Sequence, residues 1–314
     1  MRELLGRLTV LDPAASESLK IIEYFDALVA GGAGAEAIVR AAAILGATTA
    51  GARVRGRVVR IDADGARVDD GDGDRATPAE SVWLERDGEP TVNDAMILDR
   101  ARLALAIVEM RSAPMTSAVD RVIDAGASSV DRQAAAHRLK LDGPVRIVAA
   151  PPPGPQPFVG PATVLATPRG PVWIGLGNGP APTAPAGVSL AADLDGIPSA
   201  CADALLALRL TDARHPVVDA ADLGVLIGLA RAHERSTEAY PDVEVLATLD
   251  ARTLDALDVV VDSDSIRSAA TTLLLHHSTL QARHETWTRA LGYDPLSPRG
   301  RARYLAARLL HRLR

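Results

Sequence analysis

The spacing of apolar residues predicts an α+β protein whose C-terminal part is entirely helical. Three observations carry this. Apolar residues recur three and four apart through Leu19, Ile22, Phe25, Leu28 and Val29. The period then falls to two through Val54, Val58, Ile61 and Val68, and from about Asp242 onward only the helical period remains. The first two patterns describe helix and strand in one folding unit, and the third describes a separate helical module.

The elements follow in order. After the first helix, the break Gly31-Gly32-Ala33-Gly34 separates it from a second, marked by Ile38, Ala41, Ala42 and Leu45. Asp64-Gly65 is a hairpin turn signal inside the strand region, and Val82, Trp83 and Leu84 predict a further strand. A helix from Asn93 to Met110 closes this layer. A helix over Ser117 to Leu139 leads to strands at Val145–Ala149, Ala162–Ala166 and Val172–Leu176, with a proline-rich loop at Pro151–Pro157 and helices at Ala200–Leu210 and Asp222–His233. The expected organisation is a sensor-like α/β layer over 1–115, a second α+β unit over 116–240 and a helical domain over 241–314.

Composition narrows the class. The chain has 314 residues, 47% hydrophobic and 24% charged, enough for about two ordinary domains with a real core. The single cysteine, Cys201, excludes an intramolecular disulfide and a multi-cysteine zinc site. No leader and no long uncharged apolar run is found, so a cytoplasmic protein without a membrane partner is expected. Aromatic residues make up only 3%, which argues against a sugar cleft or a base-stacking platform. Lys20 and Lys140 are the only lysines, so arginine abundance reflects composition and says nothing about phosphate. Its distribution says more: from His276 to Arg314 eight arginines face only Glu285 and Asp294, while the preceding residues are net acidic within a total charge of -6. A basic end on an acidic body is the pattern of a polyanion-binding module.

The last seventy residues give the sharpest pattern. Leu249 to Val261 reads as one helix, ended by Asp262-Ser263-Asp264. Ser265 can cap a second, Ile266 to Leu274, with Ile266, Ala269, Ala270 and Leu273 on one face. After a break at Leu275-His276-His277, Ser278 is the expected N-cap of a third helix, Thr279 to Leu291, stopped by Gly292. Leu280, His284, Trp287 and Leu291 face its core, and Ser278, Gln281, Ala282, Glu285 and Arg289 face out. This is a helix-turn-helix pattern, with a plain helical bundle as the alternative. Small or polar residues at the leading turns, His277, Ser278, Thr279 and Gln281, would let the helix approach base edges. Gln281 can pair with adenine and Arg283 with guanine or phosphate, while Arg289 and Arg301 are candidate phosphate contacts.

The run Ala269-Ala270, His276-His277-Ser278-Thr279-Leu280-Gln281-Ala282-Arg283, Leu291-Gly292 and Pro298-Arg299-Gly300-Arg301 resembles the C-terminal helix-turn-helix of PucR/CdaR-type bacterial transcriptional regulators. Members often carry His-Arg-Asn-Thr-Leu and a Tyr-Arg pair, so His277, Ser278 and Ala282 depart from the pattern, and with them the contacts the family would imply there. Ser199–Leu210, His215-Pro216-Val217-Val218 and Asp222-Leu223-Gly224 resemble the degenerate cyclase-like segment of that family, without its Gly-Gly-Asp-Glu-Phe run. Leu19 to Glu109 is similar in element order to a GAF-type sensor. The resemblance implies double-stranded DNA as partner, a homodimer and a small-molecule effector at the N-terminal domain.

Enzymatic motifs fare poorly. Gly175-Leu176-Gly177-Asn178-Gly179 follows a strand, but Pro180 and Pro182 stand where a dinucleotide fold starts its helix. Asp69-Asp70-Gly71-Asp72-Gly73-Asp74 alternates like a calcium loop, yet Arg75 and Ser81 replace the required glycine and glutamate. His276, His277 and His284 lack the partners of a zinc site, and no serine sits in a nucleophile elbow. Cys201 reads as a small apolar residue, and Trp83 and Trp173 as core. No catalytic residue, metal ligand or cofactor site is assigned, and the expected function is a DNA-binding regulator. The alternative is an interaction or ligand-binding module whose helix-turn-helix no longer binds DNA.

Overall fold

The computed structural model describes residues 13–314 except 55–56, 69–80, 87, 112–113, 153, 155–157, 180–181, 183–184 and 236–237. The acidic run from Asp69 to Asp74 therefore lies outside the described residues, as does part of the proline-rich loop. The class is α+β. Contacts gather the chain into two compact units, Met1–Ala220 and Ala221–Arg314, rather than the three segments expected.

The first unit opens with helices α1 (Pro13–Ala30) and α2 (Ala35–Gly46), joined through Gly32 at φ 79°. Ala37, Ile38, Val39, Ala41, Ala42 and Ala43 are all fully buried, so α2 runs through the interior, its small side chains admitting close neighbours on every side. Strands β1 (Thr49–Val54), β2 (Arg57–Ile61) and β3 (Val82–Glu85) form an antiparallel sheet in the order β2-β1-β3. Gly65, at φ 84°, makes the turn after β2, which Ile61 and Arg67 close as a bridge. Trp83 lies over Gly51, where a Cβ would meet its ring at 2.2 Å. Helix α3 (Asp94–Arg111) follows, its start fixed by Asp94, which accepts from Arg86 Nε and Thr91 N, each at 2.9 Å.

The single helix expected over 117–139 is two, α4 (Pro114–Ile123) and α5 (Ser129–Leu139). The Asp124-Ala125-Gly126 turn breaks it, and Ser128 caps α5 by accepting from Asp131 N. Strands β4 (Ile147–Ala150), β5 (Ala162–Thr167), β6 (Gly170–Leu176), β7 (Ala186–Val188) and β8 (Val217–Asp219) form a second sheet, ordered β5-β6-β4-β7-β8, with only β7 and β8 parallel. Between β7 and β8 runs α6 (Ile197–Arg209), so close that a Cβ on Gly187 would fall 2.1 Å from the Ala204 carbonyl.

The pleat of this sheet explains how residues before and after 115 share one core. Alternate residues of a strand point to opposite faces. Val148, Ala150 and Trp173 join Phe25, Leu28 and Ile38 in one core, while Ile147, Ala149 and Ile174 join Val122, Leu139 and Cys201 in another. The N-terminal helices are thus one wall of the middle sheet. Trp173 stands edge-on to Phe158 at 4.7 Å, and burial pushes the Cys201 thiol up to about 12, which leaves no reactive thiolate at neutral pH.

The division between units falls inside the short helix α7 (Ala220–Leu223), and α8 (Leu226–Glu234) belongs with the C-terminal unit. The expected helix over 222–233 is interrupted at Gly224, at φ 52°. There follow α9 (Pro241–Ala247), α10 (Ala251–Asp262), α11 (Ile266–Thr272), α12 (His277–Leu291) and α13 (Pro298–Arg312), around a core that includes Leu246, Leu257, Leu280, Trp287 and Tyr304. Among the described residues, no helix is long and apolar enough to cross a membrane.

One buried acid gives the first unit a testable signature. Asp120 on α4 accepts from Thr163 Oγ1 at 2.7 Å. Its carboxyl is pushed up to about 7 by burial, against the Thr163 hydrogen bond, with Glu36 adding repulsion and Arg40 and Arg121 opposing it. Its unfolded value is about 4, so the contribution is intact below about pH 4, falls as pH rises to about 7 and stays low above. Between pH 5 and 8 the wild-type chain should lose on the order of 2 kcal/mol relative to Asp120→Asn in equilibrium urea unfolding. Parallel profiles would contradict this.

Candidate nucleic-acid interface

The surface that could meet nucleic acid is built by α10, α11 and α12. Asp250 caps α10, accepting from Thr253 N at 3.0 Å. Ser265 caps α11 by accepting from Ser268 N at 3.2 Å, as its position before the apolar run predicts. On the seven-residue α11 the buried residues are Ala269 and Ala270, whose small side chains let α12 approach closely.

The connection from α11 to α12 is Leu273 to His276. Leu274 takes the left-handed conformation, φ 54°, while Leu275 N donates to Ala270 O at 2.9 Å. That geometry closes a helix end and ordinarily selects glycine. Here a leucine occupies it with 92% of its surface exposed.

The N-cap of α12 is His276, not Ser278. Thr279 N and Leu280 N both donate to His276 O, so helical bonding begins two residues earlier than the serine would place it. His276 Nδ1 accepts from Ser278 N at 3.4 Å, and Ser278 Oγ lies 2.7 Å from the same nitrogen. An imidazole here does what a serine or aspartate side chain does elsewhere, which cap preferences do not reveal. Gly292 ends the helix at φ 75°, as expected.

Leu280, Trp287 and Leu291 are buried, which fixes the rotation of α12. His284, on the same stripe, is mostly covered, and its Nε2 meets Asp294 Oδ1 at 2.9 Å. At 100° per residue, Ser278, Ala282, Glu285 and Arg289 then lie opposite the core, Thr279 and Arg283 on one flank and Gln281 on the other. His277, Ser278, Thr279, Gln281, Arg283 and Arg289 are all exposed. The first turn holds no acidic residue, so the positive end of the helix dipole favours an anion there, although Ser278 N, Thr279 N and Leu280 N are already engaged by His276. Glu285 is the one carboxylate on the outward stripe.

Arg301 stands apart from the other expected contacts. It is half-buried, and its Nη2 donates to Ser263 O at 2.6 Å, capping the end of α10. Its first role is to tie α13 to the helix-turn-helix.

The basic tail looks different in three dimensions. Arg303 makes a two-pronged pair with Asp242 at 2.7 and 2.8 Å and lies 4.2 Å over the Tyr293 ring. That pairing holds the Asp242 carboxyl below its ordinary range. Arg308 and Arg312 both bind Asp258, which also accepts from the buried Tyr304 hydroxyl at 2.7 Å, and Arg314 pairs with Glu244. Much of the positive charge near the C-terminus therefore clamps α13 onto α9 and α10. Residues 221–314 hold twelve arginines and twelve acidic residues. Among the described residues of 221–314, Arg235, Arg252, Arg267, Arg283, Arg289 and Arg299 are exposed and have no carboxylate partner.

No protein-family model matches the chain, and no curated protein does either. Among solved structures it is similar to a regulator of polyketide synthase expression from Bifidobacterium adolescentis, with 15% identity, 63% of this chain and 96% of that chain covered, and a TM-score of 0.28. A TM-score that low carries no argument about fold or function.

Two substitutions test how this surface is held. Asp258→Ala strands Arg308 and Tyr304 and should cost the C-terminal unit about 2 kcal/mol in urea unfolding; a change within error would remove Asp258 as the clamp. Leu274→Gly relieves a left-handed leucine that buries nothing, and a gain of about 0.5 to 1 kcal/mol is expected. A loss of stability there would mean that Leu274 makes a contact in solution.

Proposed function

We propose that the protein is a DNA-binding transcriptional regulator of the PucR/CdaR type, and that the leading turns of α12 enter the major groove of duplex DNA. The observation that carries this reading is the presentation of His277, Ser278, Thr279 and Gln281 on an exposed helix N-terminus whose opposite face is locked into a core. The seven-residue α11 and the four-residue connection are the size that a helix-turn-helix needs. Gln281 and Arg283 are the proposed base-reading residues. Arg267, Arg289 and Arg299 are the proposed phosphate contacts, with Arg301 acting first as a support.

A homodimer belongs to the proposal, because one such unit reaches few base pairs and paired half-sites supply affinity and specificity. So do a sensor role for the N-terminal unit, a small-molecule effector, a cytoplasmic location and the absence of catalysis. A second reading, an interaction module that no longer binds DNA, draws support from Glu285 on the outward stripe and from the balanced charge of residues 221–314.

The test is fluorescence anisotropy on a duplex from upstream of the protein's own coding region, with a scrambled duplex beside it, across salt concentrations. Gln281→Ala and Arg283→Ala should each cost about 1 to 3 kcal/mol on the preferred duplex. Arg289→Ala should weaken both duplexes alike and flatten the salt slope by about one unit. Glu285→Gln should tighten both. Unchanged affinity in all four variants would remove this surface, and a folded protein that binds neither duplex even at low salt would favour the interaction module.

A further inference from the structure

The N-terminal unit carries a charge cluster of its own. Two adjoining cavities, of about 370 and 380 Å3, share Arg57, Arg67 and Arg121 in their walls. The first is backed by Ala35, Val54 and Val59 and reaches the buried Asp120 and Glu36. The second opens along α4 and α5, where Arg138 and Asp131 stand over Ala118 and Ala135.

Among the described residues, four arginines and three carboxylates, Glu36, Asp120 and Asp131, line the two cavities. Glu36 Oε2 lies 3.5 Å from Arg67 Nη1 and 3.7 Å from Arg121 Nη2, and its Oε1 lies 3.9 Å from Arg40 Nη2. One carboxylate thus serves three guanidiniums, although Arg40 also donates to Gly65 O and Arg121 reaches Asp124 at 3.8 Å. Arg57 and Arg138 have no carboxylate partner among the described residues. Asp120 is buried and engaged by Thr163. An excess of guanidinium in a cleft with apolar backing is costly when empty and favourable when an anion sits in it. The guanidinium fork matches the planar carboxylate and the phosphate.

We propose that this double cavity binds a small organic anion, with its carboxylate or phosphate head among Arg57, Arg67, Arg121 and Arg138 and its apolar body against Ala35, Val54 and Val59. The volume is in the range of small-molecule sites. The four arginines come from β2, the turn after it, α4 and α5, so an occupant would tie the small sheet to the helix pair. This deepens the effector part of the reading above and rests on it for its regulatory meaning. The site itself is tested without DNA, so its failure is separable from that of the DNA interface.

The experiment is isothermal titration of the full chain with benzoate and with phenyl phosphate, using benzamide as the neutral control, on wild type and on the Arg57→Gln/Arg138→Gln double variant. Among the described residues neither replaced arginine has a carboxylate partner, so the variant should keep the wild-type circular dichroism and thermal midpoint. At least one anion should bind with a millimolar or tighter Kd, and benzamide about tenfold more weakly or not at all. The double variant should weaken the anion by about tenfold or more. No binding of either anion, equal binding of benzamide, or anion binding unchanged in a folded double variant would each overturn the proposal.

Discussion

Burial of Leu280, Trp287 and Leu291 fixes the rotation of α12, and every statement about what that helix can touch depends on it. With that stripe turned inward, helical geometry alone sends Ser278, Ala282, Glu285 and Arg289 outward. Ala269 and Ala270 add the second constraint, since larger side chains on α11 would push α12 away and lengthen the connection. His276 then sets where the helix begins. The result is a first turn with polar side chains, amides capped by His276 and no carboxylate of its own.

Charge has two different uses in the C-terminal unit. Arg303, Arg308, Arg312 and Arg314 meet Asp242, Asp258 and Glu244 and hold α13 against the helices that precede it. Asp258, only 14% exposed, combines a shielded pair with a hydrogen bond from Tyr304, a setting in which a pair matters more than one on open surface. Among the described residues, Arg252, Arg267, Arg283, Arg289 and Arg299 are the exposed arginines of these helices and of the start of α13 without a carboxylate partner.

Much of the fold was legible because periodicity reports burial. The apolar run Val145 to Ala149 and the stripes of α1, α2 and α12 each mark a real element. Ser265 and Gly292 act as the sequence signals say. What was not legible depends on pairing across the chain. The basic tail reads as a polyanion site until its acidic partners, some fifty to seventy residues earlier, are seen beside it. Strand alternation likewise predicts two faces but cannot say that the N-terminal helices cover one of them. His276 was missed because histidine is an uncommon cap. The arginine-lined cavity gave no local signal, since residues 57, 67, 121 and 138 belong to no motif and converge only in the fold.

The leading turns of α12 are the surface proposed to meet duplex DNA. Hydrogen–deuterium exchange of the full chain, with and without saturating duplex at low salt, tests it most directly. Slowed exchange is expected over 277–283, with no slowing over α9, whose charged side chains are already engaged by α13. Binding of the duplex with exchange over 277–283 unchanged would contradict it.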